Sequence, residues 1–412
     1  MDTFGPMKTQ PLPRHAQSML EEQLRIMPVV VLTGARQTGK STLVERLHPE
    51  RRVITLDELE WADLARRAPE QLLELAAELA IDEVQRQPAL LSAIKVQVDR
   101  DRRPGRFLLT GSANLLLMQH VSESLAGRAG YLTLWPMTRR EQRGEGRAGC
   151  WQELLETPDA GWPALLENRR NTREEWRALA RRGGYPTPAL ELQTPAERDI
   201  WFDGYVRTYL ERDLQDLSNI STLVDFRRLM RACALRLGQM LNQTELGRDV
   251  SLPQPTVHRW LNLLETSTLL VKLPAYAVNR TRRLIKTPKL YWADTGLALH
   301  LAGNPEPAGA HLENLVLHDL LAWREIRRPR VELGYWRTTT GEEVDFVIED
   351  GQHLLPIEVK STDRPRLSDC TAVRNFRTEY GERCRPALLL HDGDLLDWLA
   401  PGVLAVPWWC VL

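Results

Sequence analysis

The run VVVLTGARQTGKST, residues 29–42, limits what this chain can fold into more than any other stretch of its 412 residues. Val29 to Thr33 reads as a buried strand, Gly34 to Ser41 follows the spacing G-x-x-x-x-G-K-S, and TLVERL has the apolar spacing of a helix. A glycine-rich turn between a strand and a helix N-terminus lets the backbone N–H groups of Gly34, Ala35, Arg36, Gln37, Thr38 and Gly39 converge on phosphate oxygens. The helix dipole adds a favourable field. In this pattern Lys40 would neutralise the outer phosphates, Ser41 would offer a hydroxyl to Mg2+, and Thr42 continues the binding stretch. The expected ligands are ATP and Mg2+; the competing reading is a chance glycine turn.

Short β-branched or aliphatic runs alternate with amphipathic stretches from Val29 to Thr110, which predicts βαβ units around a parallel sheet. Expected strands are Val29 to Thr33, Val53 to Leu56, Leu79 to Asp82, Arg106 to Thr110 and Tyr131 to Leu134, with helices after the first and third. LAIDEVQ ends the third of these on Asp82 and Glu83. One carboxylate would stand behind the metal ion, while the other, at the strand tip, would take a proton from the attacking water. An Asp-Glu pair is otherwise a solvated helix start. RFLLTGSAN ends a strand on Thr110 and Ser112, where a polar group can orient that water, although Ser112 can equally cap a helix.

Downstream, residues 143–182 read as a polar insertion or lid holding Trp151, Trp162 and Trp176 among many arginines. A helical stretch from Ala196 to Leu241 then bridges to two short helices, Thr244 to Val250 and Thr256 to Leu264, joined by SLPQP and followed by a β-hairpin. That order describes a winged helix-turn-helix. Thr256 is expected to cap a recognition helix carrying His258, Arg259 and Asn262. The hairpin carries Arg280, Arg282, Arg283, Lys286 and Lys289 with no acidic residue between them, a phosphate-facing wing if DNA is the partner and a solvated face otherwise.

AGNPEPAGA, residues 302–310, has the composition of a linker and marks a further domain. There Asp345 of EVDFVI is followed thirteen positions later by Glu358 and Lys360 of PIEVKS, a spacing that fits the PD-(D/E)xK nuclease pattern. Two carboxylates would hold Mg2+ against a scissile phosphate, and strand alternation puts Glu358 and Lys360 on one face. Glu313 of HLENLV supplies a fourth member from the preceding helix. The set is similar to that of Holliday-junction resolvases and related nucleases; the other reading is a nuclease-like scaffold that does not cut.

Composition excludes little else. The formal charge of -1 advertises no polyanionic partner globally, so a DNA surface must be a local patch. Five scattered cysteines without Cys-x-x-Cys spacing read as reduced thiols. No signal peptide or membrane span is legible, and a cytoplasmic location is expected.

On the motifs GARQTGKS, IDEVQ, LLTGSAN, SLAGRA, GGYP, YLERDL, KLYWADTGLA and EVDFVI, nearly the whole chain resembles a prokaryotic family of AAA+-type ATPases bearing a C-terminal domain of unknown function. The resemblance implies an α/β P-loop core over residues 1–140, a helical lid with connecting helices over 141–237, a winged helix over 238–301 and a restriction-endonuclease-like α/β domain over 310–412. It also implies a head-to-tail homo-oligomer such as a hexameric ring, with Arg128 of SLAGRA as the arginine finger. GGYP lacks the second-sensor arginine of many AAA+ lids and is similar instead to signal-transducing ATPases. Two functions remain: an ATP-driven protein that binds or processes duplex or branched DNA, and a nucleotide-dependent regulatory switch with a non-catalytic last domain.

Overall fold

A computed structural model describes residues 11–47, 51–111, 125–170, 172–210, 223–277, 287–351 and 353–412. Five strands, β1 (Val29–Thr33), β2 (Arg52–Thr55), β3 (Leu79–Asp82), β4 (Phe107–Thr110) and β5 (Ala129–Thr133), form a parallel sheet in the order β2-β3-β4-β1-β5. β1 and β4 are buried along their whole length, as expected for central strands covered on both faces. β4 separates the strand leading into the glycine loop from the strand bearing Asp82, and both deliver their polar residues at the C-terminal edge of the sheet. Helices follow β1 (Lys40–Leu47) and β3 (Ala89–Arg100), and Leu59–Arg67 after β2 is an additional one. Leu59–Arg67 buries only Ala65, which explains why its sequence carries a weak core signal.

Further along, helices Leu223–Leu235, Gln243–Val250 and Gln254–Thr266 precede an antiparallel pair, β6 (Leu270–Leu273) and β7 (Lys289–Trp292). Thr256 does not cap its helix: the first turn begins at Gln254 behind Pro253, and Pro255 is tolerated there because that N–H has no intrahelical partner. The last part of the chain is a helix, Gly309–Ile326, against a six-stranded mixed sheet. Its strands are β8 (Glu332–Arg337), β9 (Glu343–Asp350), β10 (His353–Lys360), β11 (Ala387–His391), β12 (Asp397–Ala400) and β13 (Val403–Pro407), ordered β12-β13-β11-β10-β9-β8.

The segment expected to be a polar insertion is core. Trp151, Trp162 and Trp176 are fully buried and join one hydrophobic cluster that runs from Ala35 through the middle helices to Leu412. Arg139 and Arg140, just ahead of the segment, are buried and satisfied inward, whereas Arg143, Arg170 and Arg173 within it are exposed. Arg139 donates to Leu412 O at 2.8 Å and Thr172 O at 2.7 Å, and Arg140 donates to Val411 O at 3.3 Å and pairs with Glu145 at 3.0 Å. Trp151 Nε1 donates to Asp319 Oδ1 at 2.6 Å, tying this segment to the Gly309–Ile326 helix. A buried indole with a paired N–H combines large apolar burial with a fixed orientation.

Trp151→Ala would empty a closed site and remove a donor from a buried carboxylate. It is expected to cost about 3–5 kcal/mol in denaturant unfolding, and a loss within experimental error would contradict this packing.

Candidate nucleotide site and C-terminal acidic centre

The glycine loop is shaped by positions that only small or strained residues can hold. At Gly34, with φ +145°, a Cβ would lie 2.3 Å from Leu134 O; Gln37 (φ 62°) and Gly39 (φ +91°) also take the left-handed side. Lys40, 7% exposed, folds back over the loop and donates to Ala35 O at 2.8 Å and Gly34 O at 3.1 Å. Burial lowers its pKa to about 8, with Arg36 adding to the fall, against the opposing pull of Glu83 and Asp82. Thr38 Oγ1 closes the turn on Ala35 O at 2.9 Å.

Asp82 organises the opposite wall. Its Oδ2 accepts from Ser41 Oγ at 2.7 Å, and its Oδ1 accepts from Thr110 Oγ1 and, at 3.0 Å, from the Glu83 N–H. Glu83 follows at φ 55°, a left-handed conformation that turns its side chain off the strand axis, where Gln85 donates to it. Burial, the largest influence, and the neighbouring Asp82 raise its pKa, while Arg36 and Lys40 oppose the rise. The structure thus brings together Lys40, Ser41, Asp82, Glu83 and Thr110. Ser112 lies outside the described residues. Arg128 is held by Asp99 of the same chain in a two-point ion pair, at 2.6 and 2.9 Å.

Several contacts at this site join residues remote in sequence. A cleft of about 360 Å³ beside Gly39 and Thr42 is lined by Pro11, Leu12, Arg14, Pro186 and Leu190, among others. Arg14 ties its floor together, donating to Thr38 O at 2.6 Å, Trp135 O at 2.7 Å and Glu141 Oε1 at 3.0 Å. The GGYP segment is held by Asp294, whose carboxylate accepts from the N–H groups of Gly184 at 2.6 Å and Leu297 at 2.8 Å. Glycine is required at 183, since a Cβ there would lie 2.6 Å from Asp294 Oδ1. Burial raises the Asp294 pKa to about 6, and hydrogen bonds from Gly184 and Leu297 hold it back.

The last domain gathers Glu313, Asp345, Glu358 and Lys360 into one centre. Asp345 Oδ2 accepts from the Val359 N–H at 2.9 Å, Lys360 donates to Glu358 Oε1, and Tyr291 O–H donates to Glu313 Oε2 at 3.0 Å. Burial, followed by the charge of Asp345, raises Glu313 to about 7 and Glu358 to about 8. Lys289 corrects the expectation of a solvent-facing wing. It is 2% exposed, with its ammonium 2.6 Å from Glu343 and 3.5 Å from both Glu313 and Asp345. Alternation along β7 turns it inward, and three carboxylates offset its desolvation. Arg259 is exposed on its helix, whereas Asn262 is engaged by Lys272 at 2.7 Å and by His258 at 3.0 Å. Arg280, Arg282, Arg283 and Lys286 lie outside the described residues.

The sheet, the loop and its carboxylates define an AAA-type, ATPase-like domain: residues 27–142 match the family described as AAA domain. Residues 173–308 and 308–411 match two domains of unknown function, DUF8612 and DUF4143. The chain belongs to the same family as an uncharacterized protein of Mycobacterium tuberculosis, to which it is 32% identical over 406 residues, covering 96% of this chain and 83% of that protein. An uncharacterized protein of Haemophilus influenzae is 21% identical, over 80% of this chain and 82% of its own length. Among solved structures, the Walker-type ATPase of Pyrococcus abyssi is 19% identical, with a TM-score of 0.41, over 71% of this chain and 99% of that one. Among the described residues no helix is long and apolar enough to cross a membrane.

Lys40→Ala removes the ammonium from the floor of the loop. With charge-assisted hydrogen bonds worth about 1.5–3 kcal/mol, nucleotide affinity should fall roughly 10–100-fold in equilibrium titration, and unchanged affinity would refute the assignment of this loop.

Proposed function

We propose that this chain is a nucleotide-dependent switch that hydrolyses ATP at the glycine loop and passes its nucleotide state to the C-terminal domain. The observation that carries this reading is the grip of Asp294 on Gly184. Pro186, two residues further on, flanks the loop, with its Cγ 3.6 Å from where a Cβ on Gly39 would sit. Asp294 lies two positions past the end of β7, and the other end of that strand reaches the acidic centre through Lys289. A shift of the GGYP segment on nucleotide binding would therefore act on a carboxylate, a strand and a second site in sequence.

At the loop, Ser41 and Asp82 form a hard-oxygen pair that suits Mg2+, with Ser41 as the direct hydroxyl ligand and Asp82 behind it. The ion would supply charge neutralisation at the phosphates. Glu83, half-buried and with a raised pKa, is suited to take the proton of the attacking water. Thr110 fixes the Asp82 rotamer through its hydroxyl. Arg128 would have to leave Asp99 to act in a neighbouring subunit, so a ring carries an ion pair to be exchanged.

A second reading, ATP-driven binding or processing of duplex or branched DNA, is favoured by the convergence of Glu313, Asp345, Glu358 and Lys360. As folded, this centre does not fit Mg2+. Among the described residues no three His, Cys, Asp or Glu side chains are arranged to hold a metal ion, and the ammonium of Lys289 stands among the carboxylates.

Glu83→Gln should keep nucleotide affinity and lower turnover by about 10²–10⁴-fold; turnover within threefold of wild type would remove Glu83 as the base. ATPase assays with and without linear, single-stranded and four-way DNA, with native mass alongside, separate the two functions: stimulation by DNA supports DNA handling, and its absence together with no binding sinks it. Lys40, with a pKa near 8, is increasingly neutral in the free protein above that pH, while bound phosphates favour its ammonium. ATP binding should accordingly take up a proton above pH 8, with affinity falling toward higher pH and flat below about pH 7; calorimetry in two buffers of different ionisation enthalpy measures this.

A further inference from the structure

Four carboxylates, Glu313, Glu343, Asp345 and Glu358, come from the Gly309–Ile326 helix, β9 and β10 into one buried region. Such a cluster is not by itself a site. Two independent observations sharpen it. Glu358 is 4% exposed, and its Oε2 has no hydrogen-bond partner among the described residues. Second, the cation that pairs with three of the four carboxylates, Glu313, Glu343 and Asp345, does not belong to the same domain. Lys289 enters from β7, part of the 173–308 segment, and is nearly solvent-free.

A buried ammonium needs several oxygens around it, and Lys289 has them at 2.6 Å (Glu343 Oε1), 3.5 Å (Glu313 Oε2) and 3.5 Å (Asp345 Oδ1). Its stem passes the rings of Tyr291 and Tyr335, with the ammonium 5.7 and 5.9 Å from their centroids. Tyr291, two positions along β7, donates its hydroxyl to the same Glu313 oxygen. β7 therefore supplies both a charge and a hydrogen bond to acidic residues of the next domain. Lys360 is engaged by Glu358 and does not share the Lys289 position.

We propose that Lys289 is the resident cation of this acidic centre and that its ammonium, supplied by the neighbouring domain, keeps a divalent-cation site at Glu313, Asp345 and Glu358 closed. This rests on the reading of the centre as nuclease-like. The Lys289 ammonium takes oxygens a divalent ion would need, and because no Lys289 contact reaches Glu358 and Lys360 engages only its Oε1, Oε2 is the acceptor left over. Withdrawing the lysine, rather than raising metal concentration, is what opens the site.

The test uses the full chain without nucleotide and Mn2+ as the probe, with binding followed by titration calorimetry and by loss of the free-Mn2+ paramagnetic resonance signal. Lys289→Met keeps the length of the side chain and removes its charge. It should gain a Mn2+ site at least tenfold tighter than any in wild type, and Glu358→Gln added to it should abolish the gain. No gain in K289M, or a gain that E358Q leaves intact, overturns the proposal. If K289M does not fold, wild type decides. Mn2+ should raise the thermal midpoint of wild type no more than that of the single variant E358Q, and a Mn2+ stabilisation present in wild type and lost in E358Q overturns the proposal. A K289M protein that binds Mn2+ at this site but cuts no linear or four-way DNA upholds the resident lysine and removes the nuclease reading instead.

Discussion

One buried carboxylate fixes how the parts of this chain sit against one another. Asp294 is 2% exposed, accepts from Gly184 on one side, and caps the Thr295–Ala302 helix through Leu297 on the other. A carboxyl in that position is costly unless its oxygens are met by fixed donors, and backbone N–H groups at a helix N-terminus meet them. Both donors belong to the 173–308 segment but to stretches remote from one another in the chain, so the GGYP backbone and the stretch after β7 cannot separate without leaving a charge in an apolar surrounding. The Gly183 and Gly184 positions follow from this, because a Cβ at 183 would strike Asp294 and one at 184 would lie 2.4 Å from Met137 O.

Around that contact the largest hydrophobic cluster crosses from the middle helices into the last domain, while the two faces of the parallel sheet and part of the last domain keep clusters of their own. The hydrophobic cluster that begins at Ala35 ends at Leu412, and Arg139 and Arg140 bond the last carbonyls of the chain. The acidic centre is likewise built from two segments, with β7 contributing Lys289 and Tyr291 to carboxylates on β9 and the Gly309–Ile326 helix. Proximity of charge explains its titration: burial and mutual repulsion push Glu313 and Glu358 upward, while Lys289 and Lys360 pull the other way.

Much of the nucleotide site was legible because its chemistry is local. Strand, loop and helix are contiguous in residues 29–47, and β1 and β3 have the bounds expected from their β-branched and aliphatic runs. Glu358 and Lys360 share a face because strands alternate, which spacing alone predicts. What escaped was set by long-range partners. Lys289 reads as one cation in a basic run; only the register of β7 and the carboxylates of β9 turn it inward. Trp151, Trp162 and Trp176 sit among charges in sequence, and only the packing of distant helices turns the indoles into the core while Arg143, Arg170 and Arg173 stay exposed. Asp294 had a weak signal, as an N-cap before TGLALHLA, yet nothing local pairs it with Gly184. Arg14 reaches Glu141 across 127 positions, a separation no pattern reveals.

Hydrogen exchange across residues 287–297, with Glu83→Gln protein saturated with ATP compared with the same protein free, tests the link between the two sites most directly. Nucleotide is expected to change the protection of the β7 amides and of Leu297 together with those of Gly184 and Tyr185. Protection that changes around the glycine loop and GGYP while residues 287–297 exchange identically would contradict that link.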